Sequence, residues 1–368
     1  MILDEVDPTA RAALERYGFD AARFEELRAR VAAGELSPAS NVVTGRVEPI
    51  RDEDVTPLPA PDGPGYAEAR AAGTEAIRAG AVAVVVLAGG MATRFGGVVK
   101  ALVEALDGRS FLDLELDETE RLARALGGKV PVALMTSFAT DEAVRAHVAA
   151  RPGRPPLVFS QFAAPRLAPD GSLFRGPDGA VSLYGPGHGD LLEAIRVSGA
   201  LDALRDLGVR HLCVANVDNL GARLDPAVVG AHLLAGRPYT SEVAVKEGDP
   251  GGAPARVDGR PVLLEGPRFP PGFDHAATPV FNTNTGLIDV DVLDRDYPLT
   301  WLYVEKEVDG RTAVQLERVY HELSAFVPTT LLRVPRRGPR GRFFPIKLPA
   351  DLERTRDELR ALLATPLA

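Results

Sequence analysis

VAVVVLAGGMATRFGGVVK, residues 82–100, begins as an unbroken apolar run of strand length and ends in paired glycines, a Thr-Arg-Phe-Gly-Gly turn and a lysine. An apolar run of that length predicts a buried strand. A glycine-rich loop opening from such a strand can bring bare backbone N–H groups against phosphates and the edge of a base. The spacing is not Gly-x-Gly-x-x-Gly and no Gly-Lys-Ser/Thr follows, so neither the dinucleotide fingerprint nor the Walker loop is present. What is present is Gly89-Gly90-x-x-Thr93-Arg94-x-Gly96, with Lys100 downstream. The same pattern also suits an ordinary strand-to-helix connection, so the loop alone does not choose between the two.

Strands and helices alternate outward from this point. Residues 66–80 read as a helix leading into the strand at 81–87. Next come a helix at 110–126 capped by Ser110, a strand at 130–135, a helix at 141–150 and a strand at 157–161. Residues 165–189 are rich in Gly and Pro. A helical stretch at 191–207, broken near Gly199, precedes a strand at 209–215. This alternation predicts a mostly parallel sheet with helices on both faces. Ligands on such sheets lie outside the carboxyl ends of the strands, where Gly89-Gly90, Gln161 and residues 216–219 fall. Further on, 255–265 reads as a hairpin about Asp258-Gly259, 267–279 as irregular, 281–290 as a strand, and 312–323 and 350–364 as helices. At the start, 8–35 reads as two short helices split at 17–20, with Asp20 as a cap and Gly34 as a stop. Residues 45–65 are rich in proline and charge and form either an ordered strap or a linker.

The 368 residues are 45% hydrophobic, which supports a sizeable core. The net charge of −9 makes nucleic acid and anionic membranes poor partners. A nucleotide is still admissible, because screening acts over about 8 Å and a local lysine or cation decides. A single cysteine, Cys213, excludes an intrachain disulfide framework and reads as a buried structural thiol. The acidic, amphipathic start is unlike a signal peptide, and the apolar run at 81–88 is too short to span a bilayer. The expectation is a soluble cytoplasmic protein.

Several polar constellations can carry chemistry. Asn216-Val217-Asp218-Asn219 closes a strand, where a carboxylate stands on a rigid scaffold as a hard-cation ligand should. Asx turns end strands too, so both readings stand. In Gly185-Pro186-Gly187-His188-Gly189-Asp190, Asp190 reads as a helix N-cap with Glu193 three residues on. The histidine among glycines suits close approach to a flat ligand such as a base. Lys100 and Lys347 stand in apolar or glycine-rich company, Lys347 within FFPIKL at 343–348. A lysine among aromatics and proline calls for an anionic partner such as phosphate. The amides of FNTNTG at 281–286 suit sugar hydroxyls or a turn. Residues 333–342 hold five arginines and read as a solvated loop, near enough to Lys347 to attract polyphosphate. No Gly-x-Ser-x-Gly elbow or His-Glu-x-x-His motif occurs, and His321-Glu322 reads as helix surface.

In order and spacing, ten stretches resemble the UTP–glucose-1-phosphate uridylyltransferase (UDP-glucose pyrophosphorylase) family. They are LAGGMATRFG with Lys100, FLDL at 111–114, PVALMTSFATDEAV at 131–144, FSQFAAPRL at 159–167 and GPGHGDLLEAI at 185–195. They continue with VSGALDAL at 197–204, VANVDNLGARLDP at 214–226, FNTNTGLIDV at 281–290, AVQLE at 313–317 and RFFPIKLPADL at 342–352. Each is modest alone; the shared order across about 80–352 is specific. The resemblance implies an α/β fold, a Rossmann-like, GT-A-like nucleotidyltransferase sheet; with the reading of the residues this gives an expected catalytic domain over 66–368, preceded by a helical segment and strap over 1–65. It implies Mg²⁺-dependent uridylyl transfer from UTP to glucose 1-phosphate with release of pyrophosphate. By position it makes Ala88, Gly89, Gly90 and Gln161 nucleotide contacts, with Gly189 closing over the base. It makes Asp218 the Mg²⁺ ligand. It makes Lys100, Lys347 and Arg94 the catalytic cations, and His188, Asn216, Glu265 and Asn284 the contacts to the sugar phosphate.

There are departures from the family pattern. The Leu-Ala-Gly-Gly loop with Thr93-Arg94 is closer to bacterial and N-acetylhexosamine relatives, and Val99-Lys100 replaces a proline-lysine pair. The chain ends soon after Lys347, so the C-terminal β-helix of the eukaryotic enzymes is expected to be lacking, and no oligomeric state carries over. Other readings remain: the same chemistry on N-acetylglucosamine or galactose 1-phosphate, a metal-dependent glycosyltransferase, or a nucleotide-sugar sensor. A sensor has less need of two phosphate-facing lysines.

Overall fold

Val82–Leu87 is buried along its whole length because each of its faces meets a separate core. Val82, Val84 and Val86 pack with Leu112, Leu116, Val144 and Val228, whereas Ala83, Val85 and Leu87 pack with Leu191, Ile195, Leu201 and Leu204. A strand covered on both faces has no polar side to alternate, which explains the unbroken apolar run.

The computed structural model describes residues 2–92, 97–249 and 251–367. Its central sheet has eight strands: β1 (Val55–Pro57), β2 (Val82–Leu87), β3 (Val132–Thr136), β4 (Leu157–Ser160), β5 (His211–Asn216), β6 (Tyr239–Val245), β7 (Val280–Asp289) and β8 (Thr329–Arg333). Their spatial order is β1-β8-β6-β7-β5-β2-β3-β4. β7 runs antiparallel to both neighbours, and every other pairing is parallel. The helices are α1 (Pro8–Arg16), α2 (Ala21–Ala32), α3 (Tyr66–Arg78), α4 (Phe111–Leu126), α5 (Asp141–Ala149), α6 (Leu191–Val197), α7 (Ala200–Asp206), α8 (Pro226–Ala235) and α9 (Pro349–Ala364). α6 and α7 cover one face, and α3, α4, α5, α8 and α9 the other. Among the described residues no helix is long and apolar enough to cross a membrane.

Local chemistry sets many boundaries. Ser110 accepts from Asp113 N while Asp113 accepts from Ser110 N, a reciprocal cap for α4. Asp20 caps α2 through Arg23 N at 3.0 Å. The 45–65 stretch is an ordered strap: Val47–Pro49 pairs with the hairpin Ala253–Val257/Arg260–Leu264, and β1 extends the main sheet. Residues of α2 and Ile2 form a third core with Leu167, Tyr184, Tyr303, Val314 and Leu316.

Two expectations are corrected. The helix expected over 312–323 is instead the strand Arg311–Glu317, paired antiparallel with Leu302–Val308, followed by a 3-10 turn at Tyr320–Ala325. Asp309 and Gly310 take φ of 50° and 69°. That turn chemistry closes a hairpin and overrides the helical spacing of the apolar residues. Asp190 stands at the N-cap position of α6 as expected, but its side chain makes no cap hydrogen bond. It accepts from Phe162 N and from the Arg318 guanidinium at 2.6 Å.

α3 and α8 approach so closely that a Cβ on Gly230 would lie 1.6 Å from the Ala69 carbonyl oxygen, and one on Gly73 would lie 1.9 Å from that of Pro226. Backbone cannot give way as a side-chain tip can. Gly230→Ala is expected to cost about 3 kcal/mol, the upper range for overpacking, despite its better helix propensity. Urea unfolding checks this, and an unchanged midpoint would contradict the close approach.

Candidate active site

The chain runs outward from β2 to β3 and β4, then returns to lay β5 on the other side of β2. The crevice at such a reversal is where α/β sheets hold ligands. Leu87 and Asn216 are register partners across it, so the 88–90 loop and the 216–219 turn leave the sheet side by side.

The segment carrying Lys347 closes over this crevice. Ile346 N–H donates to the Asp218 carbonyl at 3.0 Å, and Lys100 Nζ donates to the Ile346 carbonyl at 2.6 Å. Asp218, Lys100 and Lys347 are thereby tied through one residue, Ile346, although 246 residues separate Lys100 from it. Lys100 is buried, with its ammonium 4.8 Å from the Phe111 ring centre, whereas Lys347 is exposed. Lys100 N–H also donates to Gly90 O at 3.2 Å. Met91–Ala92 pairs antiparallel with Val98–Val99, so the glycine loop does not lead straight into a helix. Thr93, Arg94 and Gly96 lie outside the described residues.

A cleft of about 580 Å³ lies in front of these groups, lined by Asp218, Lys347, Asn216, Asn284, His188 and Glu265 among others. Six of the sequence-predicted residues therefore share one cavity. Burial raises the Asp218 carboxyl above its usual range, against the pull of Lys100 and Lys347. Asn284 interrupts β7 with φ of 57°, beside a shift in register between Ser241 and Val243. Its Nδ2 donates to Asn216 Oδ1 at 3.1 Å, and its own Oδ1 is buried without a partner among the described residues. A strained residue with an orphaned acceptor at a cleft is a mark of a ligand site.

The base side is built from Gln161 and glycines. Gln161 N–H donates to Thr136 O at 2.9 Å, and Ser137 and Thr140 hydroxyls hold the carbonyls of Gly89 and Ala88. A Cβ on Gly185 would fall 2.1 Å from Gln161 Nε2, and one on Gly89 3.2 Å from it. The Gln161 amide thus lies between two glycines. Gly189 packs against the Arg318–Val319 backbone and donates to Arg318 O at 2.9 Å.

A scan of known families matches residues 23–363 to the model described as UTP–glucose-1-phosphate uridylyltransferase. The chain belongs to that family. A uridylyltransferase from Astragalus penduliflorus is 32% identical over 355 residues, 89% of this chain and 72% of the relative. One from Saccharomyces cerevisiae is 32% identical over 301 residues, 76% of this chain and 60% of the relative. Several of these uridylyltransferases are thus matched over less than two thirds of their length. A point-mutant UDP-glucose pyrophosphorylase from Leishmania major superposes with a TM-score of 0.71 at 24% identity, covering 94% of this chain and 78% of that one. A UDP-N-acetylglucosamine pyrophosphorylase from Trypanosoma brucei, in complex with an inhibitor, gives 0.72 at 17% identity, covering 89% and 75%. Both share the nucleotidyltransferase fold.

Within the uridylyltransferase frame, some groups escape the sequence reading. Asn219 accepts from Phe344 N at 2.7 Å and donates to Arg342 O at 3.2 Å, sewing the 342–347 segment to the end of β5. The arginine-rich stretch is not uniformly solvated: Arg342 is buried and pairs with Glu242, and Arg336 pairs with Asp249 and stacks over Phe281. His321 and Glu322 are buried rather than on a helix surface. Burial pushes the Cys213 thiol up to about 12, so it stays protonated.

His188 and His321 face each other with ring centres 5.7 Å apart. Tyr320 N–H donates to His188 Nδ1 at 3.2 Å, so the His188 proton sits on Nε2. Burial lowers His188 to about 4 and His321 to about 3. Below the ordinary value of 6.5 the unfolded chain binds protons that the folded chain refuses. Stability is therefore expected to fall as pH drops from 6.5 toward 4 and to gain nothing from these groups above 6.5. Urea midpoints at several pH values check this, and His321→Gln should flatten the slope.

Proposed function

We propose that this chain transfers the uridylyl group of UTP to glucose 1-phosphate, giving UDP-glucose and pyrophosphate. The observation that carries the reading is the convergence of Asp218, Lys347, Asn216, Asn284, His188 and Glu265 in one cleft at the sheet's reversal, with Lys100 behind Ile346. Membership of the uridylyltransferase family supports the choice of nucleotide and sugar.

Gln161 offers a donor and an acceptor side by side, which matches the edge of uracil. The bare backbone at Gly89 and Gly90 admits the base and its phosphates. The orphaned Asn284 Oδ1 accepts from a sugar hydroxyl, and His188 Nε2–H donates to the sugar phosphate. A sugar phosphate oxygen attacks the α-phosphorus of UTP in line, so the bond to the β,γ-pyrophosphate breaks as the new one forms. No protein nucleophile is required. Lys347 and Lys100 hold charge where it builds on the transferring and leaving phosphates, and positioning does the rest.

Asp218 fits a hard divalent cation: it is a carboxylate at a strand end lining the cleft, and its side-chain oxygens take no hydrogen bond from any other described residue. Asp218 would hold the Mg²⁺ ion, whose charge would neutralise phosphate oxygens in the cleft. An Asp218→Asn chain is expected to need far more Mg²⁺ for half-maximal rate, and an unchanged Mg²⁺ titration would reject that role. Direct displacement predicts inversion at a chiral α-thiophosphate of UTP. Retention would reveal a covalent uridylyl-enzyme and overturn the mechanism.

A further inference from the structure

At the far end of the sheet from the cleft, where β5 begins and β7 ends, three side chains converge. His211 and Asp289 are cross-strand partners, with His211 Nδ1 2.6 Å from Asp289 Oδ1. His232 reaches the same oxygen from α8, its Nε2 at 2.9 Å. The two imidazole rings lie 5.5 Å apart at 80° to each other, and the three ligand atoms all fall within 4.8 Å of one another. His232 is buried with 2% of its side chain exposed, whereas His211 and Asp289 keep 17% and 31% open to solvent.

We propose that His211, His232 and Asp289 bind one divalent transition metal of the Zn²⁺ or Co²⁺ class, with the remaining position open to water. Two imidazoles and one carboxylate form a donor set that prefers such ions to Mg²⁺ or Ca²⁺, which seek oxygen alone. A ligating histidine needs an outer partner for its other nitrogen, and His232 has one: Nδ1 lies 2.8 Å from Thr240 Oγ1 on β6. A hydroxyl both donates and accepts. Thr240 can therefore receive the Nδ1 proton while the Nε2 lone pair turns to the metal. Without metal, the same hydroxyl donates to Nδ1 and Nε2–H bonds to Asp289. No proton need leave either ring, since each shifts to its other nitrogen. Bonds near 2.1 Å in a tetrahedral site set ligand atoms about 3.4 Å apart, so the present contacts open by less than about 1 Å. The partly exposed ends of β5 and β7 are the elements to move. The ion would then clip β5, β7 and α8 together at a distance from the cleft.

The test is titration of Co²⁺ into the folded chain with Mg²⁺ in excess over carboxylate-only sites. One equivalent should develop the intense visible bands of tetrahedral Co²⁺, one equivalent of Zn²⁺ should discharge them, and saturating Zn²⁺ should raise the thermal midpoint. His211→Ala is expected to weaken binding more than about 100-fold, and Thr240→Val, which keeps all three ligands, about 10- to 100-fold. Asp289→Asn replaces His211→Ala should that variant fail to fold. Absence of visible bands at any Co²⁺ level, bands that survive loss of His211 or Asp289, or a thiolate charge-transfer band placing the ion on Cys213, would overturn the proposal. Unchanged affinity in Thr240→Val would overturn the role given to Thr240.

Discussion

Lys347→Ala is expected to lower turnover about 10²- to 10³-fold, the scale of losing one preorganised donor to a charged transition state. Lys347 is exposed at the mouth of the cleft, and among the described residues its ammonium makes no hydrogen bond or ion pair. Removing it therefore breaks no packed contact or hydrogen bond and takes away only its attraction to Asp218, so the loss should appear in kcat with little change in melting temperature. Lys100 is a less clean subject. It is buried, bonded to Ile346 O at 2.6 Å and set over the Phe111 ring, so its truncation also loosens the segment that carries Lys347. Arginine at 347 should restore only part of the rate, because a planar fork does not present the same point charge. Wild-type kcat in a folded Lys347→Ala chain would remove this lysine from the mechanism.

Arg342→Ala is expected to destabilise the chain by about 3–5 kcal/mol, the cost of leaving one buried charge without its partner. Arg342 holds the Glu242 carboxylate through two hydrogen bonds of 2.6 Å, and their side chains are 6% and 1% exposed. Its third contact donates to the Arg223 carbonyl at 2.7 Å. The pair fastens the start of the 342–347 segment to β6, while Asn219 fastens the same segment to the end of β5. Activity should therefore fall with stability, and should stay low at temperatures where the variant is fully folded. Replacing both partners by apolar residues of similar volume should return most of the stability but not the activity, since it restores packing without restoring the position of Lys347. Urea unfolding separates these outcomes. A loss below about 1 kcal/mol in Arg342→Ala would mean that the pair is solvated rather than buried.

What the sequence disclosed follows from the range of each interaction. β2, the Ser110 cap and the hairpin at Asp258-Gly259 are written in neighbouring residues, where periodicity and turn chemistry act directly. Asp190 also looked local, beside Leu191 and three residues before Glu193. Its partner Arg318 lies 128 residues away, and that charge outcompetes the cap. Arg342 and Glu242 are 100 residues apart, so in sequence one reads as part of a solvated run and the other carries no local signal. The helix expected over 312–323 failed because Asp309-Gly310 joins two runs that each read ambiguously alone. Of the residues that line the cleft, Asp218, Asn216, Asn284 and Lys347 are legible as polar groups at strand ends or in apolar company and His188 as a histidine among glycines, whereas Glu265 follows only from the family resemblance. The clamp that assembles them, Asn219 with the Ile346 peptide, is not legible.

The most direct measurement is pyrophosphate release by the purified chain with Mg²⁺ and UTP, supplied separately with glucose, galactose and N-acetylglucosamine 1-phosphates. Release with glucose 1-phosphate well above the other two is the result predicted here. Release with none of them, from a folded chain that binds UTP, would contradict uridylyl transfer as the activity of this cleft.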